Sequence, residues 1–156
     1  MKIRKFSEKD SIKVAKLAMR TFKKYNGLDF FDKEAITGAL DFFDPDKNTK
    51  EELIEKFRKS YIFYVAEEGN SIIGMIRGIS DRISSLFVDE NWHKNGIGKK
   101  LIEHFEVEAR KNKSTYIKIR SSLYAVNFYQ KVGYKKTTGM RNHMGLKIYN
   151  MKKKLV

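Results

Sequence analysis

The sequence predicts an α/β layered domain in which a mixed, mostly antiparallel central sheet is flanked by helices. Three observations carry that expectation. Strand-like runs stand at both ends of the chain and in its middle, with segments of helical periodicity between them. Two β-rich runs meet at Glu68-Gly69-Asn70, which reads as the turn of an antiparallel hairpin. In residues 85–102 a short apolar strand breaks into Gly96-x-Gly98 and at once opens a helix. The 156 residues suffice for one core that buries roughly two-thirds of the unfolded surface. With no repeat or low-complexity linker, residues 1–156 are expected to form a single domain.

Residues 2–6 alternate and make the first expected strand. Ser7 and Asp10 have capping-box spacing with Asp in place of Glu. Ile12, Ala15, Leu17, Ala18, Met19 and Phe22 then follow at helical spacing, so a helix runs to about Tyr25 and stops before Asn26-Gly27. From 28 to 46 the pattern is broken and partly helical, with Phe30, Phe31, Leu40, Phe42 and Phe43 apolar and Pro45 marking a turn. Thr49 and Glu52 form another capping box and open a helix through Leu53, Ile54 and Phe57. Residues 61–67 and 71–79 form the hairpin, and 82–88 the next strand. The helix after Gly98 extends to about Asn112 and turns Leu101, Ile102, Phe105 and Ala109 inward. Residues 116–122 alternate as a strand, and 123–134 read as a short helix closed by Gly133. Residues 135–142 and 146–154 close the chain as two strands.

Composition excludes several classes of function. The absence of cysteine rules out disulfides and any thiol-based covalent intermediate, and it is compatible with a reducing compartment. The basic N-terminus has no apolar stretch behind it that would make a secretory signal, and no run is long enough to span a bilayer. A cytoplasmic location is the expectation. A net charge of +14 invites a nucleic-acid reading, because basic proteins gain affinity for polyanions by releasing counterions. The charge is mostly lysine scattered through both halves, however, and no RNA-binding signature, zinc ligand set or basic helix-turn-helix accompanies it. Solvated lysines on an enzyme surface explain the charge better.

The Gly96-x-Gly98 junction carries chemistry because the first turn of a helix has N–H groups without internal partners at the positive end of its macrodipole, which suits a phosphate or pyrophosphate. An ordinary tight turn is the alternative. The third glycine of a Rossmann loop is missing, as is an acidic residue about twenty positions on. The Gly-Lys-Ser/Thr ending of a Walker loop is absent too. Further along, Ser122, Ala125 and Tyr129 fall at i, i+3 and i+7 and would share one face of a helix. In this order and separation the two stretches closely resemble the GNAT N-acetyltransferase superfamily. There a Gln/Arg-x-x-Gly-x-Gly/Ala loop holds the pyrophosphate of acetyl-CoA, and an Ala-x-x-Phe-Tyr-x-Lys-x-Gly-Phe/Tyr helix lies beside the pantetheine arm. This chain supplies Ala125, Phe128, Tyr129, Lys131, Gly133 and Tyr134 of the second pattern. It departs at His93, where the family usually has Gln or Arg, and at Ser122, where many members carry Asn.

The resemblance implies an acetyl-CoA-dependent N-acetyltransferase that passes the acetyl group directly to a primary amine of a small molecule or a peptide. It places Leu86, Phe87 and Val88 beside the acetyl group and pantetheine, with one of their N–H groups polarising the thioester carbonyl. His93, Lys94, Asn95, Gly96, Ile97, Gly98 and Lys99 would surround the pyrophosphate, and Ser122 would also touch the cofactor. Tyr129 is the candidate general acid, since a phenol with pKa about 10 stays protonated at neutral pH. Phe128 and Tyr134 read as core. No base is assigned: Glu67, Asp81 and His143 compete with a water relay, and each also reads as a surface or turn residue. No metal is expected.

The expected partners are acetyl-CoA and an amine acceptor rather than nucleic acid or a membrane, in a monomer or homodimer. Two other classes stay open: a CoA-binding regulatory domain without turnover, and a basic nucleic-acid-binding module. Acetyl-CoA-dependent thiol release separates the enzyme from both. Residues 29–46 hold six acidic side chains against Lys33 alone, in a segment that lines the acceptor side in the resembled family. An acidic wall there would attract a cationic amine; turn carboxylates facing solvent are the alternative.

Overall fold

Residues 1–26 and 32–156 are described by the computed structural model. Strand β1 (Lys2–Lys5) leads through a 3₁₀ turn to helix α1 (Ser11–Asn26), followed by α2 (Lys33–Phe43) and α3 (Lys50–Phe57). The hairpin β2 (Ile62–Glu68) and β3 (Ser71–Ile79) comes next, then β4 (Arg82–Val88), α4 (Ile97–Lys111), β5 (Tyr116–Ser122) and α5 (Val126–Lys131). Strands β6 (Lys135–His143) and β7 (Leu146–Lys154) close the chain.

The seven strands form one sheet in the order β1-β2-β3-β4-β5-β7-β6, antiparallel everywhere except between β4 and β5. This is the expected mixed, mostly antiparallel α/β arrangement. Alternation along the strands sends side chains to two cores. On one face Ile73, Ile76, Ile83, Ile117 and Ile119 pack against Leu101, Ile102, Phe105 and Ala109 of α4, the four residues whose helical spacing marked them as inward. On the other, Val65, Ile72 and Met75 pack against Val14, Leu17 and Ala18 of α1 and Leu53 and Phe57 of α3. Helix starts follow the caps read from the sequence: the Ser7 N–H donates to the Asp10 carboxylate at 2.9 Å, and the Glu52 N–H donates to the Thr49 hydroxyl at 3.1 Å. Asp32 caps α2 in the same way, its carboxylate accepting the Ala35 N–H at 2.8 Å.

Three boundaries differ from expectation. Helix α4 begins at Ile97 rather than after Gly98. Ser122 ends β5 instead of opening the next helix, because the Ala125 N–H turns back to the Ser122 carbonyl at 3.2 Å and α5 starts only at Val126. The broken pattern of 28–46 contains the regular helix α2 from Lys33, whereas Leu28, Asp29, Phe30 and Phe31 lie outside the described residues.

The arrangement that matters for function is the junction of β4 and β5. They pair only at Arg82 with Lys118 and Ile83 with Ile119. The β3–β4 register also slips between Arg77 and Gly78, so β4 changes course just after its paired start.

Candidate active site

Beyond Ile83 and Ile119 the two parallel strands part, and the edge of β4 that faces β5 carries backbone groups with no strand partner. The gap opens into a cleft of about 510 Å³. Leu86 and Val88 turn toward the α4 core and Phe87 toward the α1 core, so all three expected residues line it from one short strand.

One end of the cleft is the β4–α4 loop. Lys94 and Gly96 have left-handed backbone, with φ of 66° and 76°. A Cβ on Gly96 would meet nothing within 4 Å, so glycine is favoured there by its dihedral angle, and the space beside it stays open. Gly98 has a different reason: a Cβ there would stand 3.1 Å from the Phe128 ring, and its absence lets α4 pack on α5. The first bond inside α4 runs from the Lys100 N–H to the Gly96 carbonyl at 3.1 Å. The N–H groups of Ile97, Gly98 and Lys99 therefore have no partner within the helix, and the Lys94 and Lys99 side chains also line the cleft. An unpaired helix start with two cations beside it suits a pyrophosphate.

His93 has a part that its sequence position did not suggest. Its Nε2 donates to the Val88 carbonyl at 2.8 Å, since a carbonyl can only accept, and its ring stacks on Tyr25 at 4.9 Å. The imidazole ties the loop to the end of β4 and to α1. Arg20 with Asp89 at 2.7 Å, and Lys24 with Glu90, fasten the same helix to the same loop. Tyr25 also meets Tyr124 at 4.5 Å, bridging α1 and the turn before α5; burial, then the neighbouring Tyr124 and Asp89, raise its pKa.

Tyr129 stands on the α5 side, 4% exposed and lining the cleft. Among the described residues its hydroxyl has no hydrogen-bond partner, and burial pushes its pKa up, so the phenol keeps its proton through the neutral range. Ser122 and Ala125 line the same wall even though Ser122 belongs to the strand. Tyr134 is core as expected, its hydroxyl donating to Glu106 at 3.4 Å in a network closed by Lys153 at 2.8 Å. Phe128 is only half-buried and forms part of the cleft wall against Gly98.

A family model described as an acetyltransferase (GNAT) domain matches residues 28–155. The chain belongs to the GNAT acetyltransferases. Among solved structures, this acetyltransferase resembles a GCN5-related N-acetyltransferase from Rhodopseudomonas palustris at 16% identity, covering 98% of this chain and 94% of that one with a TM-score of 0.79. The PaiA N-acetyltransferase from Thermoplasma acidophilum, solved in complex with coenzyme A, is similar at 22% identity, 98% of each chain and a TM-score of 0.74. Ard1 from Thermoplasma volcanium matches at 22% identity over 99% of this chain and 97% of that one, also with a TM-score of 0.74. No curated protein matches the sequence.

In this GNAT acetyltransferase the expected site residues converge with one exception. Asn95 is exposed and outside the cleft wall, its amide donating to the His93 carbonyl at 3.1 Å. No Asp or Glu among the described residues lines the cleft. Glu67 is held by Arg4 at 2.6 Å, and neither Asp81 nor His143 forms part of the wall. The described acidic residues of 32–46 do not wall it either: Asp32 caps α2, Asp41 pairs with Lys47 at 2.8 Å, and Asp44 accepts the Asp46 N–H at 2.8 Å. Asp29 lies outside the described residues. Among the described residues no cluster of three His, Asp or Glu could hold a metal ion, and no helix is long and apolar enough to cross a membrane. Sequence reasoning missed Thr21, Phe22 and Tyr25, which bring the end of α1 into the wall. The apolar spacing that includes Phe22 signals a buried face but not that the face borders a cleft.

Proposed function

We propose that this acetyltransferase moves an acetyl group from acetyl-CoA directly to a primary amine held in the same cleft. The observation that carries the reading is the parting of β4 from β5, with an unpaired helix start at one end of the gap and a protonated, buried tyrosine on its wall. The coenzyme A bound by the PaiA N-acetyltransferase of similar fold supports it.

Acetyl-CoA supplies the activated acetyl thioester. The free edge of β4 pairs with the pantetheine amides as a further strand would, and a backbone N–H among Leu86, Phe87 and Val88 donates to the thioester carbonyl as negative charge gathers there. The N–H groups of Ile97, Gly98 and Lys99, with the Lys94 and Lys99 ammonium groups, neutralise the pyrophosphate. Tyr129 gives its proton to the departing sulfur. Burial raises the pKa of a phenol and of a thiol in the same direction, so the transfer is less uphill than the phenol's shift alone implies. With no carboxylate from the described residues on the wall, the amine reaches the site unprotonated or loses its proton through water.

Incubation with radiolabelled acetyl-CoA alone should leave no stable acyl-protein, and addition of an amine should release free thiol in step with acetylated product. A labelled protein adduct that passes its acetyl group to the amine would overturn direct transfer.

A further inference from the structure

Outside the cleft, the sheet face formed by β4, β5, β7 and β6 gathers positive charge in an ordered way. The register puts Arg82 beside Lys118, Lys118 beside Lys152, and Lys152 beside Lys135, so four cations form one row across four adjacent strands. Neighbouring strands lie roughly 4.8 Å apart, and like charges directly opposite one another destabilise a sheet. Arg120 lies two residues along β5 from Lys118, on the same face. Its pKa is lowered by burial and by Arg82, and that of His143 by burial, Arg120 and Arg82.

Among the described residues none of the row is in an ion pair, although Arg4, Arg20, Lys24, Lys47, Arg58, Lys111 and Lys153 all have carboxylate partners elsewhere. Arg82, Lys118, Arg120 and Lys152 line a hollow of about 500 Å³ whose wall contains no acidic residue among those described. Ile119 and Arg120 line both this hollow and the cleft, so the two adjoin. Repulsion within the row persists in the free protein, and an anion lying across it would relieve it.

We propose that this face docks the acceptor, a peptide amine whose flanking residues carry carboxylates; the proposal rests on the acetyl-transfer reading of the adjoining cleft. An extended peptide presents same-face side chains about every 6.6–6.8 Å, the repeat that separates Lys118 from Arg120 along β5. A single-stranded nucleic acid would look for an open aromatic platform. Tyr116, on the same face two residues along β5 from Lys118, is instead covered by Lys152 at 4.3 Å and Lys118 at 5.3 Å. The occupant is thus one that needs cations and no stacking surface.

The test uses the full chain saturated with acetyl-CoA for turnover, and with CoA for binding. Three fluorescent peptides share one primary amine and differ only in having Glu, Gln or Lys on both sides of it. The Glu peptide is expected to bind at least tenfold tighter than the Gln peptide at low salt, to lose much of that advantage at high salt, and to show a correspondingly lower KM. The double variant Lys118→Glu with Lys152→Glu is expected to erase the preference for the Glu peptide and to favour the Lys peptide in its place. Lys118→Gln with Lys152→Gln, a milder change at exposed or half-exposed positions, weakens it partway and serves should the reversal not fold. Equal binding of the three peptides, a preference untouched by either variant, or an RNA oligonucleotide that binds more tightly and displaces the Glu peptide would each overturn the proposal. If the Glu peptide binds but no peptide is acetylated while small alkylamines still release thiol from acetyl-CoA, the acceptor role of this face is overturned and the acetyl-transfer reading stands; if no amine of any kind releases thiol, that reading fails instead.

Discussion

Replacing Tyr129 by Phe separates catalysis from folding because of where its hydroxyl stands. The ring is 4% exposed and packs edge-on against Phe128 at 5.2 Å and Tyr134 at 5.7 Å, contacts that a phenylalanine keeps. The hydroxyl has no hydrogen-bond partner among the described residues, so its removal leaves no orphaned group behind. Stability should therefore stay within about 0.5 kcal/mol of the parent, because the hydroxyl opens on the cleft and its loss breaks no contact. Loss of a general acid typically lowers a rate by about 10²- to 10⁴-fold, equivalent to about 2.7–5.4 kcal/mol in the barrier. The deficit should appear in kcat, with the affinity for acetyl-CoA nearly unchanged, because the ring still fills its place on the wall. It should also be constant across neutral pH, since burial moves the phenol's titration further above that range. Steady-state thiol release at several pH values, calorimetric binding of CoA and a thermal melt together make the assay. A kcat within threefold of the parent protein, with the melt and the affinity intact, would refute the role of Tyr129 as proton donor.

Gly96→Pro should abolish CoA binding in calorimetry, because proline cannot adopt a φ of 76°; retained affinity would move the pyrophosphate away from this loop. Gly98→Ala should weaken binding less, since the new methyl group starts 3.1 Å from the Phe128 ring, which must yield a few tenths of an ångström. For an alkylamine acceptor, log kcat/KM should climb with unit slope toward the amine's own pKa of about 10, as no carboxylate among the described residues lines the cleft to titrate first; a plateau near neutral pH would reveal a base. Asp10→Ala should cost about 2–4 kcal/mol in urea unfolding, because Asp10 takes two bonds from Arg4 at 2.8 and 2.9 Å and one from the Ser7 N–H. Burial works to raise the Asp10 pKa, but the bonds and charge of Arg4 and the Ser7 N–H more than offset it. Its folded pKa is therefore below the unfolded value of about 3.9, and its contribution, present above that value, fades as pH falls through the folded pKa. An acid-unfolding curve that does not change between parent and variant would contradict this.

The order of strands and helices, the caps at Ser7 and Thr49, and the glycine loop that opens α4 were legible in the amino-acid sequence. Each rests on neighbours within a few positions: a capping side chain reaches three residues along, and helical spacing marks the inward face of α4. Tyr129 was legible for a related reason, since the pattern from Ala125 to Tyr134 carries the family likeness within ten residues. The tertiary structure decided the rest. Only it shows that Ser122 ends a strand, that His93 spends its Nε2 on Val88, and that α1 reaches the cleft wall through Tyr25. It also moved the charge argument, taking the acidic residues 32–46 away from the cleft and aligning Arg82, Lys118, Lys152 and Lys135 across four strands. Those four lie far apart in the chain, and the register that unites them depends on how each strand packs against its neighbours. A strand's own pattern shows which residues share a face, whereas which residue of a distant strand stands beside them is settled only when the cores close.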